Sequence, residues 1–182
     1  MKLHIFGASG SGVTTLGQAL AKQLDIPYLD SDDFFWEVSS PPFTIKRNQA
    51  LRNEMVQQAY RQTKHWVLGG SIINWGENVF PPFDLIVFLC LPPAIRLERL
   101  KARELERYGD VIISNPQRAS QFSEFMAWAT DYDHATGLAN RTLKAHENWL
   151  GKQTSPVLEI RGDYSIEQKL AMVGKKLEKL HP

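Results

Sequence analysis

Gly7-Ala8-Ser9-Gly10-Ser11-Gly12-Val13-Thr14 decides how this chain folds. Its spacing is that of a phosphate-binding loop, G-x-x-x-x-G-K-S/T, met at Gly7, Gly12 and Thr14 but with Val13 where the lysine belongs. On one side, Lys2-Leu3-His4-Ile5-Phe6 is a short, mostly apolar run that suits a buried parallel strand. On the other, Leu16, Ala19, Leu20, Gln23 and Leu24 recur at helical spacing, so a helix begins near Val13. The glycines permit a tight turn whose successive N–H groups point inward as a nest for phosphate oxygens. The positive end of the helix then faces that nest. Thr14 falls where a hydroxyl holds magnesium, with Thr15 just behind it. The alternative is a glycine-rich strand-to-helix turn that binds nothing.

Outward from the loop, strand-like and helical segments alternate. Ile26-Pro27-Tyr28-Leu29-Asp30 reads as a second strand, followed by Ser31 to Trp36 and a proline-marked loop around Pro41-Pro42-Phe43. A helix is expected from Asn48 to Thr63, with Leu51, Met55, Ala59 and Gln62 along one side. His65 to Gly70 is a third strand ending in glycines. Asp84 to Leu91 is the fourth and most apolar, and is expected to be central. A helix from Pro93 to Arg107 leads into a less regular stretch, Tyr108 to Pro116, and then into helices at 117–133 and 138–150. Pro156 to Ile160 makes a fifth strand, and residues 165–180 close the fold as an amphipathic helix. This alternation predicts one α/β domain over residues 1–182, a five-stranded parallel sheet with helices on both faces. Ligands bind such sheets at the carboxyl ends of the strands, where the loop sits.

A chain of 182 residues with 43% hydrophobic content can bury a proper core. Its net charge of +1 makes no general electrostatic case for nucleic acid or a membrane surface. The one cysteine, Cys90, lies in the apolar fourth strand and reads as a small buried hydrophobe. No apolar stretch approaches the roughly 18 residues of a membrane span, and no signal-like segment precedes the first strand. A cytoplasmic protein is expected.

Three further segments are expected to reach the same sheet edge. Asp30-Ser31-Asp32-Asp33 follows the second strand and could hold magnesium through water or act as base toward an acceptor hydroxyl. The alternative is an acidic helix cap, above all for Asp33. Gly69-Gly70-Ser71 ends the third strand, where glycines either let a ligand approach the backbone or only make a turn. Arg96, Arg99, Arg103 and Arg107 align along one helical face. With Glu98, Glu104 and Glu106 among them, they are either a solvated, ion-paired helix or a source of guanidinium forks for phosphoryl oxygens. Arg118 and Arg141 lie beyond the irregular stretch and could join from the other side. Phe34, Phe35, Trp36, Trp75 and Phe80 could line an acceptor pocket, form a contact surface, or be core under a loop. Asp84 opens its strand, whereas a Walker B aspartate ends one, so it reads as structural. Lys46 or Arg47, after the prolines, could swing in as a surrogate for the missing lysine; Lys101 is a weaker candidate.

On these residues the chain resembles the adenylate kinase and shikimate kinase superfamily of small P-loop kinases over nearly its whole length. The carriers are Gly7–Thr15, Leu29-Asp30-Ser31-Asp32, Gly69-Gly70, the Arg96–Arg107 helix and Val157-Leu158-Glu159-Ile160-Arg161-Gly162-Asp163. It is most similar to short bacterial adenylate kinase-related ATPases in which the loop lysine is often replaced. The resemblance implies a three-layer P-loop NTPase fold with a short lid near 108–118. It implies ATP held by Gly7, Ala8, Ser9, Gly10, Ser11, Gly12, Val13, Thr14 and Thr15, with the base near Arg161. Magnesium would lie near Thr14 and Asp30. A small-molecule or nucleotide acceptor would lie near Asp32, Gly70 and Ser71, with Asp32, Arg99 and Arg103 in catalytic roles. The implied activity is ATP-dependent phosphoryl transfer to an unidentified acceptor. The alternative is a nucleotide-binding module with little kinase activity, because a positioned donor on developing charge is worth about 3–4 kcal/mol.

Overall fold

Leu3 and Ile5 face one side of the sheet and His4 and Phe6 the other, all of them fully buried. That alternation with apolar burial on both faces is what a parallel strand under two helical layers requires. The chain is seen in a computed structural model that describes residues 1–40 and 42–180; Pro41, part of the expected proline loop, lies outside the described residues.

The elements follow the expected order. The strands are β1 (Lys2–Gly7), β2 (Tyr28–Asp30), β3 (Trp66–Gly69), β4 (Leu85–Cys90) and β5 (Val157–Arg161). The helices are α1 (Val13–Leu24), α2 (Ser31–Phe35), α3 (Gln49–Arg61), α4 (Pro93–Tyr108), α5 (Val111–Ser114), α6 (Pro116–His134), α7 (Leu143–Leu150) and α8 (Ile166–Leu180). The five strands form one parallel sheet in the order β2-β3-β1-β4-β5. One face carries Leu3, Ile5, Val67, Val87 and Leu89 packed with Leu16 and Leu20 of α1 and Val173 and Leu177 of α8. The other carries Phe6, Trp66, Leu68, Ile86 and Phe88 with Val56 of α3 and Leu150 of α7.

Two expectations are corrected. The middle strand is β1, while β4 stands between β1 and β5. An apolar run reports that a strand is flanked and covered on both faces, a condition β4 shares with β1, so apolarity does not rank the two. The stretch expected to be irregular, Tyr108 to Pro116, is mostly helical. Gly109, at φ 64, ends α4, and buried Ile112 anchors the single turn of α5. The side chain of Asn115 then caps α6 by accepting from the N–H of Arg118. Glycine and proline here punctuate successive helices and mark no loop.

Asp84 accepts from the N–H of Lys2 at 2.7 Å, at the edge of the sheet opposite the phosphate loop, in the structural role expected of it. Among the described residues, no helix is long and apolar enough to cross a membrane.

Candidate functional site

The loop between β1 and α1 is shaped by what its glycines exclude. A Cβ on Gly7 would meet the carbonyl oxygen of Leu89 and lie 2.7 Å from Ser11 Oγ. A Cβ on Gly10, at φ 86, would lie 2.8 Å from the carbonyl oxygen of Arg96. Gly12, at φ 91, stands at the N-cap of α1 with no side chain to cap it. The first N–H groups of the helix are therefore left to an incoming acceptor, at the positive end of the helix dipole. This fits a phosphate cradle better than a packed turn.

The expected acidic segment meets the loop from the neighbouring strand end. Thr14 Oγ1 donates to Asp30 Oδ2 at 3.4 Å, and the Tyr28 hydroxyl donates to the same oxygen at 3.1 Å. Asp30, and not Asp33, is the helix cap, for its other oxygen accepts from the N–H of Asp32 at 3.0 Å. Capping leaves Asp32 free to face the cleft. Water reaches the Asp32 carboxyl, yet the cleft walls desolvate it; this and the charge of Asp30 raise its pKa, while Arg141 works in the opposite direction.

These groups border a cleft of about 590 Å³ at the carboxyl edge of the sheet. Of the residues expected at the site, Gly7, Ala8, Ser9, Gly10, Gly12, Val13, Thr14, Asp30, Asp32, Gly70, Ser71, Arg99 and Arg103 line it, as does Thr15. Ser11 does not; it is buried beneath the loop. Arg161 does not either. Its guanidinium pairs with Glu147 at 2.9 Å and Glu159 at 2.7 Å, beside a separate hollow next to Leu150 and Val157. Asp163 reaches the cleft rim instead, holding Arg99 at 2.8 Å.

The arginine helix divides by depth. Arg96 is fully buried and donates to the carbonyls of Ser9 and Ala129 and to Asp133. Arg99, Arg103 and Arg107 are exposed on the cleft wall, with Arg103 and Arg107 sharing Glu104. Arg118 stacks on the ring of Tyr108 and Arg141 lies over the ring of Phe35.

The glycines at the end of β3 serve packing first. A Cβ on Gly69 would strike the Tyr28 ring, and one on Gly70 would strike Ser31 Oγ. Of the aromatic group, Trp75 is core, and Phe34, Phe35 and Phe80 pack against that core. Arg47 donates to the carbonyls of Asp33 and Phe34, which fixes the end of α2, and Lys46 bridges to Trp36; neither lines the cleft.

Sequence reasoning missed the wall opposite the loop. His146 is buried between Ser71 Oγ at 3.1 Å and the Tyr132 hydroxyl at 2.8 Å, joining the end of β3, α6 and α7 at the cleft wall. Burial, assisted by Arg141 and His4, lowers its pKa to about 3, so it is neutral. Arg52 of α3 sits 4.1 Å from the Trp75 ring centroid and 5.7 Å from that of Phe35, the ring that Arg141 also covers. No local pattern announces either residue, since both are defined by partners distant in the chain.

Comparison with known proteins agrees with this geometry. No family model matches the chain. It is 39% identical over 171 residues to the uncharacterized protein YqaC of Bacillus subtilis (strain 168), with 94% of each chain covered. It is 30% identical over 105 residues to a shikimate kinase of Enterococcus faecalis, across 53% of this chain and 62% of that enzyme. Among solved structures, shikimate kinase of Aquifex aeolicus superposes with a TM-score of 0.53 at 16% identity, covering 98% of this chain and 97% of the other. Deoxyadenosine kinase of M. mycoides superposes at 0.57 and 13% identity, covering 98% and 100%. With a phosphate-loop motif at the head of a five-stranded parallel sheet and a relative matched end to end, the chain belongs to the YqaC family and has the fold of the solved shikimate and deoxyadenosine kinases.

Proposed function

We propose that this protein transfers a phosphoryl group from ATP, with magnesium, to a hydroxyl of a small anionic metabolite. The observation that carries the proposal is Asp32, a carboxylate with a raised pKa that faces a cleft between the phosphate loop and Arg141. A carboxyl in reach of both halves of a cleft suits general-base chemistry. Arg141 forms no ion pair among the described residues and lies over Phe35, which suits an acceptor carrying its own carboxylate or phosphate.

The loop fits a polyphosphate because Gly7 and Gly10 admit no side chain and α1 starts uncapped. Thr14 and Asp30 fit a magnesium ion held by one hydroxyl and, through water, one carboxylate; two such donors suit an ion that arrives with the nucleotide. When bound, the triphosphate supplies the phosphoryl group and magnesium offsets its charge. Asp32 then orients the acceptor hydroxyl and takes its proton. Arg99 and Arg103 stand on the wall that faces the loop and stabilise charge spread over the moving oxygens. Gly70 and Ser71 floor the acceptor side. Residues 108–118, from the end of α4 through α5 into the first turn of α6, act as the lid. The reading places the protein in the cytoplasm, where ATP is held.

A coupled assay for ADP release across hydroxylated carboxylates, nucleosides and nucleoside monophosphates tests the proposal. The expected result is acceptor-dependent ADP release that Asp32→Asn lowers by about 10²- to 10⁴-fold. Equal release with and without every acceptor, or indifference to Asp32→Asn, overturns it. Val13 favours a second reading, a nucleotide-binding module with little turnover. Under it, magnesium-ATP binds with measurable heat and no acceptor promotes ADP release.

A further inference from the structure

Three residues of α8, Lys169, Val173 and Leu177, share the face that packs into the core, and a lysine in such a stripe needs a reason. Lys169 is 6% exposed. Its Nζ lies 3.7 Å from where a Cβ on Gly12 would stand, and it is the nearest group to that point. Gly12 immediately precedes Val13, so this ammonium lies against the loop one residue from the missing lysine. Among the described residues it forms no hydrogen bond or ion pair. Its charged neighbours are Arg99 and Asp163, which are paired to each other. The side chain is largely enclosed and the carboxylate nearest in charge, Asp163, is engaged by Arg99, so an arriving anion gives this ammonium a partner. We propose that Lys169 supplies, from the last helix, the polyphosphate-binding cation that Val13 lacks, an inference that rests on the ATP-dependent reading above.

The geometry makes the substitution sensible. A loop lysine reaches the nest from inside its own helix, whereas Lys169 approaches over Gly12, a position whose φ of 91 favours glycine. Lys169 stands outside the residues that line the cleft, so it reaches a bound oxygen by extending past the loop. Burial first, and then Arg99, lowers its pKa, as expected of a cation held in readiness for a negative ligand. Lys46 and Arg47 make no comparable approach, since Arg47 is committed to the carbonyls of α2.

Calorimetry with magnesium-ATP tests this on the intact chain. Lys169→Met completes the apolar stripe and keeps the fold, which a thermal melt verifies. The expected result is an affinity lower by about tenfold to a hundredfold, the size of one charge-assisted hydrogen bond. Lys169→Arg keeps most of the affinity, and Val13→Lys placed in the Lys169→Met background restores it. Lys175→Met, on the exposed side of α8, leaves affinity unchanged and controls for net charge. Equal affinity in wild type and Lys169→Met overturns the assignment of Lys169 and leaves the ATP-dependent reading standing. No heat from the wild type overturns both.

Discussion

The guanidinium of Arg96 donates to the backbone carbonyl of Ser9, tying the first turn of α4 to the phosphate loop. The same group donates to the Ala129 carbonyl at 2.9 Å and pairs with Asp133, so one buried cation joins the loop, α4 and α6. The loop is therefore held from outside as well as by its own turns. Arg96→Met is expected to destabilise the protein by about 3 kcal/mol, because Asp133 keeps its charge in a largely closed site without a partner. Arg96→Met with Asp133→Leu is expected to recover much of that loss. Urea denaturation of the single and double variants measures both; equal midpoints for wild type and Arg96→Met would contradict the role.

His4 and His146 set the pH dependence of stability. Burial holds each pKa near about 3, against about 6.5 in an unfolded chain. The unfolded state thus binds more protons between those values, and stability must fall as pH drops from 6.5 toward 3 and level off above pH 7. The slope is up to about 1.4 kcal/mol per pH unit for each histidine. Denaturant midpoints between pH 5 and 8 read it. Replacing His146 by Gln, which retains a donor and an acceptor between Ser71 and Tyr132, is expected to halve the slope. A slope that persists in full would place the titration elsewhere.

Gly70 tests whether the end of β3 is shaped by packing. Alanine there meets two costs, a φ of 95 and contact with Ser31 Oγ. The backbone part is about 1–2 kcal/mol and belongs to Gly70 alone. The contact belongs to the pair, so Ser31→Ala is expected to reduce the cost of Gly70→Ala without abolishing it. Additive effects in that cycle would show that the glycine answers to backbone conformation only.

What the sequence revealed follows from how local each feature is. Gly7, Gly12 and Thr14 announce the loop because a nest is built from consecutive residues. The alternating strands and helices were legible for the same reason. Strand order was not, since β1 and β4 are similarly apolar and only pairing separates them. The cleft's far wall was hidden because His146 matters through Ser71 and Tyr132, on other elements; Lys169 was hidden because it meets Gly12 from the opposite end of the chain. Arg47 illustrates the converse: beside prolines it looks mobile, yet two carbonyls of α2 hold it. Arg161 matched its motif, but Glu147, on the helix that precedes β5, claims its guanidinium.

The electrostatics around Asp32 can be read without knowing the acceptor. Desolvation by the cleft and repulsion from Asp30 raise its pKa, and Arg141 partly offsets them. The sign of each perturbation follows. Arg141→Met removes the opposing cation, so the carboxyl must titrate at still higher pH. Asp30→Asn removes the repelling charge, so it must titrate lower. Carboxyl-carbon NMR titration of labelled protein follows these shifts directly. If Asp32 is the base, the acid limb of kcat/KM moves in the same direction as the NMR pKa in each variant. A carboxyl that titrates in the ordinary aspartate range in all three proteins would remove Asp32 from consideration as a tuned base.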